Sequence, residues 1–409
     1  MTAMSDREPL TTSSMDRRQF TAGLLTTIAV RPTSLLNLTA CAPQRAIEPP
    51  SAAFLAGLPR LMEIAGVPAV GMAVVQNGRV AWTNYSGVGD ITANQPVNAE
   101  TIWPAASLSK PVFAYAALHL VDQGKLDLDK PLKMYVPDHA PDDPRGNTIT
   151  TRHVLSHSSG LRNWRQRLDQ PLVPDFEPGS RFQYSGEGFY YLQRAVEHIA
   201  QMGFERFMEE RVFNPLGMKS STYFWRPDVG PRLVTGYDRG QPSTSFGKDM
   251  GPRLIDAALK ANKEPATLTY EDTVALMATM NPAPAIIPNA MIPNCAGSLL
   301  TTPAEYGAFL VQLLKEDSPS LRLMRAKQST INSALGWALG IGVEQQRDGE
   351  DGGYLWHWGD NGAWKNFVLI HPPTKSAIVV FTNGSKGLNV ANQIVTAATG
   401  EPHAAFLWL

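Results

Sequence analysis

Ser107 and Lys110, three residues apart in Ala106-Ser107-Leu108-Ser109-Lys110, are the pair in this sequence best suited to covalent chemistry. Val112, Phe113, Ala116, Ala117, Leu120 and Val121 follow with helical period, and Gly124 closes the run. The spacing therefore predicts a helix that opens near Ser107 and carries both groups on one face. A serine hydroxyl is a weak nucleophile until a neighbouring base draws its proton. A buried helix start would help in two ways: desolvation disfavours the charged lysine, and the helix dipole with the Ser107 backbone N–H favours a developing oxyanion. The chemistry expected of such a pair is acyl transfer through an acyl-enzyme.

The bare serine–x–x–lysine pattern is not enough, because Ser245-Phe246-Gly247-Lys248 matches it as well. That second pair lies among Gly, Pro, Ser and Thr, with no apolar helix behind it. What distinguishes Ser107 is its company. Thr151-Arg152-His153-Val154-Leu155-Ser156-His157-Ser158-Ser159-Gly160-Leu161, Glu177-Pro178-Gly179-Ser180-Arg181-Phe182-Gln183-Tyr184-Ser185-Gly186, Asn214-Pro215-Leu216-Gly217-Met218 and His357-Trp358-Gly359 follow it in order.

Together with the stretch from Ala106 to Leu128, these segments resemble the class C β-lactamase and related esterase family of the β-lactamase and penicillin-binding-protein superfamily. The likeness holds in order and spacing over roughly Pro50 to Val395. It implies a serine hydrolase with Ser107 as nucleophile. It also implies Tyr184 as a phenolate-type general base, its pKa lowered by the Lys110 ammonium, with Lys110 orienting Ser107. His357, on a strand facing the site, would donate a hydrogen bond to Tyr184 or to a substrate carboxylate. Gly359 would leave room for substrate against the strand backbone, and the backbone N–H of Asp360 would be the second oxyanion donor. The mechanism requires no metal and no cofactor.

Two departures from the penicillin-recognising pattern point to a small ester or D-configured peptide rather than a β-lactam. Gly186 stands where the tyrosine motif usually ends in an asparagine that holds a substrate amide. Histidine at 357 is a poorer magnet for a carboxylate than a lysine. A β-lactamase is the alternative within the family, and a non-catalytic penicillin-binding-like cell-wall or peptide binder on the same scaffold is the alternative from another class. His153 and His157 are expected to brace a loop, Glu187 to be solvated, and Cys295 to be a packing residue at the site floor.

These groups need a scaffold, and 409 residues with 43% apolar content can supply one. Asn77-Gly78 between Ala69 to Val75 and Arg79 to Tyr85 predicts a two-residue hairpin. Strand patterns return at Gly336 to Glu344, Leu355 to Gly359, Asn366 to His371 and Ser376 to Thr382. Helical patterns fill the middle. The expected fold is α/β (α+β): a mainly antiparallel sheet flanked by helices, early and late strands sharing it, with a helical subdomain inserted at about 130–285.

A formal net charge of -1 offers no global field for a nucleic-acid partner. Cys41 and Cys295 imply neither a disulfide framework nor a zinc site. Asp16-Arg17-Arg18-Gln19-Phe20, followed by a short apolar run, reads as a twin-arginine export signal over 1–41, too short for a transmembrane span. Leu38-Thr39-Ala40-Cys41 resembles a lipoprotein box, which makes Cys41 a lipid-anchor candidate; the other reading is an ordinary residue of a discarded leader. A linker at 42–50 and a hydrolase domain at 51–409 complete the organisation, with a periplasmic or membrane-anchored location.

Overall fold

The computed structural model describes residues 45–137, 143–165, 170–243, 250–280, 293–345 and 353–409. The twin-arginine segment, Cys41 and the Ser245–Lys248 pair lie outside the described residues. The strands in chain order are β1 (Ala69–Gln76), β2 (Arg79–Asp90), β3 (Gln95–Pro96), β4 (Trp103–Pro104), β5 (Tyr237–Asp238), β6 (Gln241–Pro242), β7 (Leu300–Thr301), β8 (Ser329–Thr330), β9 (Leu335–Trp337), β10 (Gly342–Glu344), β11 (Tyr354–Asp360), β12 (Lys365–His371) and β13 (Ser376–Thr382). Nine of them form one antiparallel sheet in the order β3-β2-β1-β13-β12-β11-β10-β9-β8. The early hairpin joins the late strands through β1 and β13, where Val70 faces Thr382 and Val75 faces Ala377.

Asn77 and Gly78 both take positive φ, 52° and 72°, as the two-residue turn between β1 and β2 requires. The single late strand expected over Gly336 to Glu344 is instead two short strands, β9 and β10. Between them Ala338 N–H bonds to Ile341 O, and Gly340 takes φ +86° with only 2.3 Å between the place of a Cβ and the Ala114 side chain. The turn is pressed onto a helix, and no straight strand fits there.

Strand alternation divides the core between the two faces. Ala73, Val368, Val379 and Phe381 point into one apolar cluster; Val74, Phe367, Leu369 and Val380 point into the other. The second face is covered by α1 (Ala52–Ala65) and a late helix, Gly387–Thr399. The first face holds α2 (Ser109–Asp122), which is buried almost all round, and Pro303–Lys315, which packs on β1, β2 and β13. The middle of the chain supplies Thr151–Leu155, Gly186–Ala200, Phe204–Met208, Met250–Lys260 and Tyr270–Thr279 as helices. No helix among the described residues is long and apolar enough to cross a membrane.

One buried side chain ties the sheet to the segment that leads into α2. Asn366, on β12, donates from Nδ2 to Pro104 O at 2.8 Å and accepts from Thr382 N–H at 3.2 Å. It is fully buried. Asn366→Ala strands both partners in a dry core, so roughly 2 kcal/mol or more of stability is expected to be lost; a urea unfolding midpoint indistinguishable from wild type would contradict this.

Candidate active site

The segment carrying Ser107 is fixed before the helix begins. β4 pairs with β7, and Ala105 N–H bonds to Leu299 O at 2.7 Å. Ala106 then takes φ 51°, a costly conformation for a residue with a Cβ, and the chain turns through a short 3-10 stretch, Ala106–Leu108, into α2. Ser107 is left partly exposed while its neighbours are buried.

Lys110 is fully buried. Its Nζ lies 3.1 Å from Ser107 Oγ and donates to Ala296 O at 2.6 Å. Burial pushes its pKa down to about 7. The amine can thus be uncharged near neutral pH, within reach of the hydroxyl it would deprotonate. Three aromatic rings surround it, with Tyr184 nearest at 4.8 Å from Nζ to the ring centre.

Tyr184 stands at this site but not as a phenolate. Burial raises its pKa, and Asp360 adds to the shift. The Ser107 hydroxyl beside it eases the shift without closing a well-aligned hydrogen bond. The lowered pKa expected for Tyr184 is therefore corrected. The ammonium that was to lower it is itself desolvated, and a phenol in a dry pocket keeps its proton.

His357 lies on β11 as expected, its ring 6.3 Å from that of Tyr184, but it makes no hydrogen bond to the Tyr184 hydroxyl. Burial, then the Lys110 amine, holds its pKa down to about 3. Its Nδ1–H donates to Trp358 O at 2.7 Å, which leaves Nε2 as an unpartnered acceptor. It is shielded from solvent and does not line the cavity beside Ser107, so it cannot meet a substrate carboxylate. Gly359 serves a different purpose from the one expected. A Cβ there would lie 2.4 Å from Ala105 O and 3.1 Å from the Ala106 side chain, so its bare backbone makes room for the nucleophile turn rather than for substrate.

The open cavity beside Ser107 is about 440 Å³, lined by Ser107, Asn163, Trp164, Tyr184, Ala296, Gly297, Trp358, Asp360 and Asn361. Among the described residues Asp360 is the one carboxylate on that lining, and it pairs with Lys365. β10 pairs with β11 only at Tyr354, Leu355 and Trp356, so β11 beyond them is an uncovered strand edge, from which Trp358 and Asp360 line the cavity. Cys295 lies at the floor as expected, its buried thiol 3.2 Å from Phe189 O and its pKa pushed well up by burial. No cluster of three or more metal-ligating side chains occurs among the described residues.

One expectation for the neighbouring residues is corrected, that for Glu187. His153 does brace its loop, accepting from Thr150 N–H. His157 does more: it accepts from Ser185 N–H at 3.0 Å and lies 4.2 Å from the Tyr184 ring, neutral and fully buried. Glu187 is not solvated but 5% exposed, and Arg165 binds it through its backbone N–H and its guanidinium. That pair pins the loop carrying Asn163 and Trp164. Sequence reasoning missed both residues, because a contact between 163–165 and 186–187 leaves no periodic signal in either segment.

The Beta-lactamase family model matches residues 58–399. The chain belongs to this family. It is similar to the esterase EstB of Burkholderia gladioli, 28% identical over 200 residues, which is 41% of this chain and 50% of that relative. It is also similar to a β-lactamase of Yersinia enterocolitica, 26% identical over 228 residues, 51% of this chain and 58% of that one. The chain spans about half the length of these curated relatives. Among solved structures, the octameric penicillin-binding protein homologue from Pyrococcus abyssi has the same fold, with a TM-score of 0.64 at 19% identity over 86% of this chain and 77% of that one.

At the position where the tyrosine motif of the family usually ends in asparagine, the Trp164 indole fills the space. A Cβ on Gly186 would lie 2.2 Å from it. Gly186→Asn is therefore expected to cost about 1–3 kcal/mol, and removing the indole in Gly186→Asn/Trp164→Ala to recover part of it. Equal thermal midpoints for wild type and the single variant would show that the indole does not own that space.

Proposed function

We propose that this chain is a serine hydrolase that forms an acyl-enzyme on Ser107, with Lys110 as the base. The observation that carries this reading is a fully buried lysine, its pKa near 7, at 3.1 Å from the serine oxygen. Ser107 Oγ attacks the substrate carbonyl carbon while its proton passes to Lys110 Nζ. The backbone N–H groups of Ser107 and Asp360 receive the oxyanion. As the bond to the leaving group breaks, the proton moves from Nζ to that group, and a water then releases the acyl chain by the same steps. Tyr184, protonated, acts as a hydrogen-bond donor beside the leaving group. His357 acts only behind the site, keeping a neutral wall next to Lys110.

The substrate is a small neutral ester or amide. Among the described residues no lysine or arginine lines the cavity to attract a carboxylate, and the acidic Asp360 does line it. The similarity to an esterase supports this reading, and the similarity to a β-lactamase makes β-lactams the substrate to test against it. Slow nitrocefin turnover is expected, and rapid turnover would overturn the preference for neutral substrates. We also propose export through the twin-arginine segment, with Cys41 as the lipid-bearing residue; a mature N-terminus beyond Cys41 would end the lipid-anchor part.

Ser107→Ala should abolish hydrolysis of a 4-nitrophenyl ester and labelling by a fluorophosphonate probe, with the thermal midpoint retained. Unchanged turnover would remove the nucleophile assignment. The deprotonated form of Lys110 is the active one, so kcat/KM should rise with pH through an inflection near 7. An inflection well above 9 would move the base to Tyr184.

A further inference from the structure

Two carboxamides on the cavity wall are each tied by one end. Asn163 Oδ1 accepts from Gly186 N–H at 2.9 Å. The partner is a donor, so the oxygen must be the tied end and the NH2 group is free. Asn361 is the reverse: its Nδ2 donates to Gly297 O at 3.1 Å, which leaves Oδ1 free. Both residues line the cavity that contains Ser107. Neither free end has a protein partner among the described residues.

Their supports differ. Asn163 sits in the loop pinned by Arg165 and Glu187, and its backbone oxygen also accepts from Gly186 and Glu187 N–H at 3.0 Å each. Asn361 follows the uncovered end of β11, where Asp360 Oδ1 accepts from Gly362 N–H. The cavity wall thus carries one donor, on the exposed Asn163, and one acceptor, on the half-buried Asn361. A secondary amide, –CO–NH–, offers the complementary acceptor and donor in one rigid unit, whereas an alkyl or simple ester chain offers no donor at all.

We infer that the acyl group this site takes carries a secondary amide, its carbonyl received by Asn163 Nδ2 and its N–H by Asn361 Oδ1. The substrate class is then an N-acylamino acid ester or a peptide. This rests on the serine-hydrolase reading above. It also reverses the inference drawn from Gly186: the carboxamide missing from the tyrosine motif is supplied by Asn163, from a separate loop.

The test is a series of 4-nitrophenyl esters of equal chain length: N-acetylglycyl, 4-oxopentanoyl (N–H replaced by CH2) and pentanoyl (carbonyl replaced as well), each corrected with Ser107→Ala. Wild-type kcat/KM should fall by about tenfold at each step. Asn163→Asp keeps an oxygen for Gly186 N–H but loses the donor, and should bring the 4-oxopentanoyl to pentanoyl ratio close to one. Asn361→Ala should do the same for the N-acetylglycyl to 4-oxopentanoyl ratio, with thermal midpoints checked for both variants. Equal rates across the series in a wild-type enzyme that turns over the pentanoyl ester would overturn the amide inference and leave the hydrolase reading standing. Ratios that survive both substitutions would overturn the assignment to these residues. No turnover of any ester and no labelling of Ser107 would sink both readings.

Discussion

An amine buried without a counter-ion is the constraint around which this molecule is arranged. Taking the Lys110 charge out of water is unfavourable, and no carboxylate hydrogen-bonds to Nζ; its two partners are Ser107 Oγ and Ala296 O. The protein keeps the group there by enclosing α2 on every side. The Tyr223 and Tyr306 hydroxyls donate to Ser109 O and Leu108 O, and Ser109 Oγ accepts from Leu299 N–H. The floor is held just as firmly. Gln193 accepts from Cys295 N–H and donates to Glu197 and Pro293, so the loop offering Ala296 O is fixed through α-helical residues far from it in sequence. The aromatic faces around Nζ supply the other half of the requirement. They exclude water when the amine is neutral and attract the ammonium when it holds a proton, so both protonation states are accommodated.

The sheet answers a second demand, which is to bring a strand edge to Ser107 without covering it. β11 is paired with β12 from Leu355 to Asp360 but with β10 only as far as Trp356. The split between β9 and β10 is what ends that cover, and the split follows from the turn at Gly340 packing on α2. Gly359 then lets the strand approach the Ala105 carbonyl more closely than any side chain would allow. Ser107 and the free edge are therefore neighbours because the same helix is seated against both.

Much of this was legible in the sequence, and the reason lies in how local each signal is. Ser107 and Lys110 share a helical turn, and the Asn77-Gly78 hairpin and the late strands have their own periodicity, so neighbouring residues suffice to place them. The family motifs brought Tyr184 and the β11 segment to the same site. What failed was the electrostatics. The pKa of Tyr184 and the role of His357 depend on the depth of the pocket, and a motif records residue types without recording the water that surrounds them. Glu187, Asn163 and Trp164 escaped for a related reason: each owes its position to a partner more than twenty residues away, across the contact between the 163–165 segment and the start of the helix at Gly186.

Gly186 shows why such losses matter for function. Read along the chain, an asparagine has become a glycine and an amide contact has vanished. In three dimensions the change is one member of an exchange. The indole of Trp164 occupies the space a side chain at 186 would need, and the buried Gly186 N–H takes hold of Asn163, turning that carboxamide so that its NH2 group is free at the cavity. A glycine is what permits both, since any larger residue would displace the ring that packs over it. Specificity in this fold is therefore set by the chemical groups presented at the cavity wall, and a motif position that looks empty has to be judged by which neighbouring segment has entered the space it left.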